Sequence, residues 1–258
     1  MMNRIRGKWV LITGASAGIG EACARAFAEH GAKLILTARR EERLAELKQE
    51  LEQAHGGTVR TVTLDVRDRE GVLALALSLE EAGETPDILV NNAGLSRGLE
   101  KVYEGSFQDW DEMIDTNITA LLTMTRAVVP AMVRRGSGHV INLGSIAGHE
   151  VYPNGAVYCA TKHAVGAITK GLRMDLLGTG VRVSTVDPGM VETEFSLVRF
   201  RGDRERAERV YAGLTPLTGA DIADAILWCA TRPPHVNIDE IIIKPTEQAS
   251  ATLVHRTA

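Results

Sequence analysis

The sequence predicts an α/β fold, a doubly wound parallel sheet of about seven strands with helices on both faces. Three observations predict it. Short β-rich runs alternate with longer helical patterns along all 258 residues. The strand runs are almost continuously apolar, as strands buried on both faces must be. The first strand leads through a glycine-rich turn straight into a helix.

The elements follow in order. "KWVLIT" (Lys8–Thr13) is the first strand. "EACARAFAEHG" has helical spacing and stops at Gly31, a C-cap residue. "KLILTA" is the second strand, and "EERLAELKQELEQAHGG" a helix laced with i,i+4 charge pairs and ended by glycines. "TVRTVTLDV" alternates as a third strand, followed by the helix "DREGVLALALSLEEAG". "DILVNNAG" is a fourth strand with a polar end. A long helix is expected from Phe107 to Arg135, kinked late by Pro130. "GHVINLGS" is strand five, Ala156–Leu177 the next helix and "VRVSTVDPG" strand six. A helix over Ala220–Thr231 precedes the last strand, "DEIIIKP". Residues 190–217 break the rhythm and are rich in charge, which marks a substrate loop in a single domain spanning 1–258.

Composition excludes several classes. Net charge is −4, which gives no reason to expect nucleic acid or an anionic membrane as partner. No run of 18 apolar residues exists, so neither a membrane span nor a signal peptide is read. Cys23, Cys159 and Cys229 are odd in number and far apart, which points to a reducing compartment, the cytoplasm. The seven histidines show no HExxH-like spacing, so no metal is expected.

The chemistry gathers at strand ends. In "TGASAGIG" (Thr13–Gly20), Gly14, Gly18 and Gly20 form G-x-x-x-G-x-G. Glycines permit positive φ and close backbone approach, and the helix N-terminus offers N–H groups to a pyrophosphate. This is the Rossmann-type cofactor turn. The second strand ends Thr37-Ala38-Arg39-Arg40 with no carboxylate before Glu41. A ribose 2′-OH would want an acid there, whereas a 2′-phosphate wants guanidinium, so NADP(H) is favoured. Asp65 ends strand three and either meets the adenine amino group or caps the next helix. "NNAG" (Asn91–Gly94) and "NLGS", with Ser145, end strands four and five on the same edge. Tyr158 and Lys162 follow, one turn apart on one helix face.

T-G-x-x-x-G-x-G, N-N-A-G, a serine thirteen residues before Y-x-x-x-K, and "DPG" (Asp187–Gly189) together resemble the short-chain dehydrogenase/reductases. The resemblance covers essentially the whole chain. It implies that Tyr158 is the general acid/base, that Ser145 holds the substrate oxygen and that Lys162 binds the nicotinamide ribose and lowers the tyrosine pKa. Bringing a phenol from about 10 to near 7 needs roughly 4 kcal/mol of preference for the anion. Asn117, in "DTNITA", matches the helix asparagine that supports a proton-relay water, and Thr193 a threonine on the carboxamide. The implied cofactor face comprises Gly14, Ser16, Gly18, Ile19, Gly20, Arg39, Arg40, Asp65, Val66, Asn92, Ala93, Gly94, Pro188, Gly189, Val191 and Thr193, with Tyr158 and Lys162.

"HVNIDEIIIKPTEQA" and "TEFSLVRFRGDRERAERVY" resemble the NADP-dependent 3-hydroxy acid dehydrogenase branch, which includes serine and allo-threonine dehydrogenases, 3-hydroxypropionate dehydrogenases and broad carbonyl reductases. That implies a small β-hydroxy acid or its carbonyl counterpart as substrate. A broad aldehyde/ketone reductase is the neighbouring alternative, and a non-catalytic dinucleotide sensor the alternative from another class. Arg199 and Arg201 either pair with a substrate carboxylate or are solvated or face another subunit. His149, Glu150, Tyr152 and Asn154 are expected to line the pocket. The resemblance also implies a homotetramer, with Cys159, Ala160, Val165 and Ala167 letting helix backbones approach across a twofold axis.

Overall fold

A computed structural model of the protein describes residues 4–257. Seven strands form one parallel sheet: β1 (Trp9–Thr13), β2 (Lys33–Ala38), β3 (Val59–Thr63), β4 (Ile88–Asn91), β5 (Gly138–Leu143), β6 (Val181–Pro188) and β7 (Glu240–Ile243). Their spatial order is β3-β2-β1-β4-β5-β6-β7. Chain direction across the sheet reverses between β1 and β4, the switch point beyond which such sheets open a ligand crevice.

Side-chain alternation along the strands builds two cores. Val10 and Ile12 pack on one face with α1 (Gly18–Glu29), α2 (Glu41–His55) and α9 (Gly219–Ala230). Leu11, between them, packs on the other face with α3 (Arg69–Glu81) and α5 (Ala120–Arg135). Leu172 and Leu176, in and just after α6 (Ala156–Asp175), pack against that second core. Both faces are therefore dry, which is why the strands read as unbroken apolar runs. Gly31 adopts φ +76° just after α1, in the left-handed region only glycine enters freely.

The expected long helix over Phe107–Arg135 is two helices. α4 (Phe107–Ile114) and α5 are joined by a π-helical turn at Asp115–Thr119. The break in the ladder thus lies upstream of Pro130, which sits inside α5. Its physical cause is Asn117. Its amide is drawn out of the helix to Leu95 and Thr161, and one wide turn accommodates that.

The irregular stretch 190–217 is partly helical, with α7 (Phe195–Arg199) and α8 (Arg204–Arg209). A bridge between Val191 and Leu217 closes its base. The Tyr211 hydroxyl donates to the Val191 carbonyl at 2.8 Å and lies 2.8 Å from Ser196 Oγ.

The α6 residues expected at an interface split between two faces. Cys159 and Val165 are buried in the chain's own core, while Ala160 and Ala167 lie on the surface. A helix of 3.6 residues per turn cannot present all four on one side. All three cysteines are free and buried.

Candidate active site

A cleft of about 510 Å³ opens at the carboxyl ends of the strands, between the glycine-rich turn and α7. Of the residues expected on the cofactor face, it is lined by Gly14, Ser16, Gly18, Ile19, Arg39, Arg40, Asp65, Val66, Asn92, Ala93, Gly94, Pro188, Gly189, Val191 and Thr193. Ser145, Tyr158 and Lys162 line it as well. Gly20 and Asn117 do not; they act from behind the wall.

Each glycine of the turn has its own reason. Gly14 sits at φ +67°, and a Cβ there would come within 3.1 Å of Asn92 Nδ2 and the Ala93 Cα. Gly18 sits at φ +57° under Thr193, 3.2 Å from where its Cβ would be. Gly20 is helical, but a Cβ would collide with the Gly14 carbonyl and Asn92 Nδ2. Asn92 is the clamp. Its amide donates to the Thr13 carbonyl at 2.8 Å, while Asn92 N and Ala93 N donate to Thr13 Oγ1 at 3.0 and 2.9 Å. The ends of β1 and β4 are thereby locked together, with the start of α1 facing the cleft.

The two arginines after β2 behave differently. Arg40 is already engaged: Nε donates to Ser16 Oγ at 3.1 Å, and Nη1 donates to Glu194 Oε2 at 2.7 Å. Glu194 also accepts from Arg43 Nη1 at 2.7 Å, which joins the 190–217 segment to the start of α2. Arg39 lines the cleft and makes no hydrogen bond or ion pair among the described residues. Asp65 is paired with Arg67, Nη2 to Oδ2 at 2.6 Å, which with further hydrogen bonds holds its carboxyl below the usual range. It does not cap α3. Asp68 does, accepting from Gly71 N at 3.1 Å.

The Ser145–Tyr158–Lys162 group sits where β5 meets α6. Ser145 Oγ accepts from Ala147 N at 3.1 Å and faces the Pro188 carbonyl at 3.5 Å. Tyr158 packs its ring on Phe195, centroids 5.6 Å apart. Lys162 donates to the Leu143 carbonyl at 2.9 Å. In the protein's own groups, burial acts most strongly on both side chains. Burial pushes the Tyr158 phenol up, and the charge opposing this first is Arg199, not Lys162, with a hydrogen bond to Ser145 adding to it. Burial lowers Lys162 itself to about 8, with Asp187 opposing. The physical reason is position. The ammonium lies 6.0 Å from the tyrosine ring centroid and is turned to a backbone carbonyl. A buried ammonium gives up charge more readily than it imposes it.

Asn117 is 2% exposed, and its side chain is fully committed. Oδ1 accepts from Leu95 N at 2.9 Å, and Nδ2 donates to the Leu95 carbonyl at 2.8 Å and to Thr161 Oγ1 at 3.0 Å. The asparagine thus pins the loop after Gly94 against α6, beside Lys162.

The two candidate anion-binding arginines part company. Arg201 is in the left-handed region, φ +51°, and pairs with Asp109 on α4, away from the cleft. Arg199 lines the cleft, with its guanidinium 5.3 Å from the Tyr158 ring centroid and 5.0 Å from that of Phe195. Its Nη2 donates to the Tyr152 hydroxyl at 3.1 Å, and its buried Nε has no partner.

Of the four residues expected between Ser145 and Tyr158, only Tyr152 lines the cleft. His149 turns to Asp187, Glu150 accepts from Ala251 N at 2.7 Å, and Asn154 lines a small neighbouring pocket. Sequence reasoning also missed Gln248 and Ala251, which close the cleft from the C-terminal segment. Gln248 Oε1 accepts from Met190 N at 2.8 Å, so a long-range contact alone brings it there.

Comparison with known proteins agrees with this geometry. The family described as short chain dehydrogenase matches residues 8–202. The NADP-dependent 3-hydroxy acid dehydrogenase YdfG of Salmonella typhi is 50% identical over 250 residues, covering 96% of this chain and 99% of that protein. Sulfoacetaldehyde reductase 2 of Chromohalobacter salexigens is 48% identical over 249 residues, covering 96% of this chain and 98% of that protein. A solved structure, the closed form of serine dehydrogenase complexed with NADP+, superposes with a TM-score of 0.91 at 48% identity, covering 96% of this chain and all of that one. A glycine turn against a clamped strand end, with a serine, a tyrosine and a lysine at the same sheet edge, is thus accounted for by descent: the chain belongs to the short chain dehydrogenase family.

Proposed function

We propose that this chain is an NADP(H)-dependent oxidoreductase interconverting a small 3-hydroxy acid and its carbonyl counterpart, of the L-serine, allo-threonine or 3-hydroxypropionate type. The observation that carries the reading is Arg199. A guanidinium with a buried, partnerless Nε beside the Tyr158 ring leaves a charged donor to be satisfied by an anion. Arg199 and Tyr158 line the same cleft, so one small molecule can present a carboxylate to the first and a carbinol to the second. The names of the relatives and of the solved serine dehydrogenase support the same class.

The residues present fit the cofactor. The positive-φ glycines Gly14 and Gly18 let the turn pack closely on Asn92, Ala93 and Thr193, and α1 presents its N-terminal N–H groups to the cleft. Arg39, with no hydrogen-bond or ion-pair partner among the described residues, and Arg40, anchored on Ser16, suit a 2′-phosphate. Bound NADP(H) supplies the hydride chemistry. The chain's own part is to hold and move a proton. The Tyr158 hydroxyl exchanges it with the substrate oxygen, which Ser145 orients. Lys162 reaches the ribose side of the cleft, and Asn117 holds the loop that fixes the lysine's surroundings. The substrate loop 190–217 covers the substrate with Phe195, Val198 and Arg199, and so excludes water.

Two coarser features belong to the same reading. Free, buried thiols support a cytoplasmic setting, and no helix among the described residues is long and apolar enough to cross a membrane. Exposed Phe107, Ile114 and Leu122 on α4 and α5 support a homo-oligomer of the family's tetrameric kind.

A second reading rests on the sulfoacetaldehyde reductase relative: the anion on Arg199 is a sulfonate. Initial rates decide between them. NADP+ reduction should be faster with 3-hydroxypropionate or L-serine than with isethionate or a bulky hydrophobic alcohol, and should exceed NAD+ reduction. Isethionate in first place would select the sulfonate, and the bulky alcohol in first place the broad reductase. No turnover with any substrate would leave a dinucleotide sensor.

A further inference from the structure

Behind Ser145, outside the cleft, three ligating side chains from three separate elements converge. His149 follows the 3₁₀ turn Ile146–Gly148, Asp187 lies near the end of β6, and Glu240 opens β7. His149 Nε2 is 2.8 Å from Asp187 Oδ2 and 3.4 Å from Glu240 Oε1, and all three ligand atoms lie within 4.8 Å of one another. We propose that His149, Asp187 and Glu240 form a binding site for a first-row divalent cation of borderline softness, Zn2+ being the natural occupant.

Three features carry this. First, the spacing fits. Ligands about 2.1 Å from a metal are about 3.0 Å apart at a right angle and about 3.4 Å apart at the tetrahedral angle. The two His149 edges match these values. Second, two carboxylates face the same point, and one of them, Asp187, is 3% exposed. Like charges brought together in a dry place are best relieved by a cation between them. Third, the buried ligand is already oriented. Thr185 Oγ1 donates to Asp187 Oδ1 at 2.6 Å, which leaves Oδ2 aimed at His149. Outer hydrogen bonds of this kind set metal ligands in place. The side chains of His149 and Glu240 are 27% and 30% exposed, which gives the ion an entry path and room for water as a fourth ligand.

One imidazole with two carboxylates suits Zn2+, Co2+ or Mn2+ better than Ca2+ or Mg2+, which prefer all-oxygen shells. The site is independent of the substrate reading. It ties the segment after Ser145 to the ends of β6 and β7, so it acts as a staple beside the cleft.

The test uses Co2+ titrated into the full chain, read by its visible d–d absorption, followed by competition with Zn2+. Saturable binding of one Co2+ per chain, displaced by Zn2+, is expected. His149→Ala and Glu240→Gln should each weaken it at least about tenfold, while His235→Ala should not. Thiolate-to-cobalt charge-transfer bands should be missing, because burial pushes the Cys23 and Cys229 thiols up to about 12 and about 11. Circular dichroism on the surface variant Glu240→Gln separates ligand loss from misfolding. No saturable binding to the wild type, or unchanged affinity in folded Glu240→Gln and His149→Ala, overturns the site.

Discussion

Tyr158→Phe is expected to lower kcat by about 10²–10⁴-fold and to leave NADPH affinity within a factor of about two. The substitution removes one oxygen and keeps the ring. The contacts with Phe195 and Arg199 are made by ring atoms, so the pocket wall survives. What is lost is the group that exchanges a proton with the substrate oxygen. With its own neighbours alone, Tyr158 has its pKa raised by burial, so the neutral hydroxyl is its resting form. A neutral hydroxyl is the acid needed to reduce a carbonyl. In the oxidation direction it must first lose its proton, so that direction should gain more from rising pH. Stopped-flow turnover with fluorescence titration of NADPH makes the measurement. A variant that keeps more than about a tenth of wild-type kcat would contradict the acid/base role.

The second large effect concerns cofactor choice. Replacing Arg39 and Arg40 together with Ala should weaken NADPH binding about 10–100-fold while leaving NADH nearly unchanged. The estimate takes a charge-assisted hydrogen bond as about 1.5–3 kcal/mol and a decade as about 1.4. Arg39 has no competing partner among the described residues, so its charge is available to a 2′-phosphate. Arg40 shares its charge with Glu194, so the single Arg39→Ala variant should account for more of the loss than Arg40→Ala. Arg43 keeps Glu194 in place in both variants, which confines the change to the cleft edge. Equal losses for NADPH and NADH would show that the arginines support the turn and do not read the phosphate.

Much of this site was legible in the sequence because parallel sheets put chemistry at strand ends. Gly14, Asn92 and Ser145 each follow a strand that reads as an apolar run, and Pro188 ends one, so topology alone brings them to one edge. The helix carrying Tyr158 and Lys162 follows directly, and spacing settles which face they share. What was hidden depends on contacts between distant residues. The turn at Asp115–Thr119 has no residue signature of its own and exists because Asn117 reaches Leu95 and Thr161. Arg199 and Arg201 look alike in sequence, yet one enters the cleft and the other binds Asp109. His149 reads as a pocket residue by its position in the sequence but faces β6 and β7, whose register across Thr185 and Glu240 sets the pairing. How strongly burial acts on Tyr158 and Lys162 is likewise a matter of packing that spacing does not carry.

Arg199 is expected to select a negatively charged substrate for a proton exchanged at Tyr158. The most direct measurement compares kcat/KM for 3-hydroxypropionate and 1,3-propanediol, which differ in one charge, in the wild type and in Arg199→Gln. The wild type should favour the acid, and Arg199→Gln should reduce that preference about 10–100-fold, mainly through KM. A preference that survives the substitution intact would contradict the account.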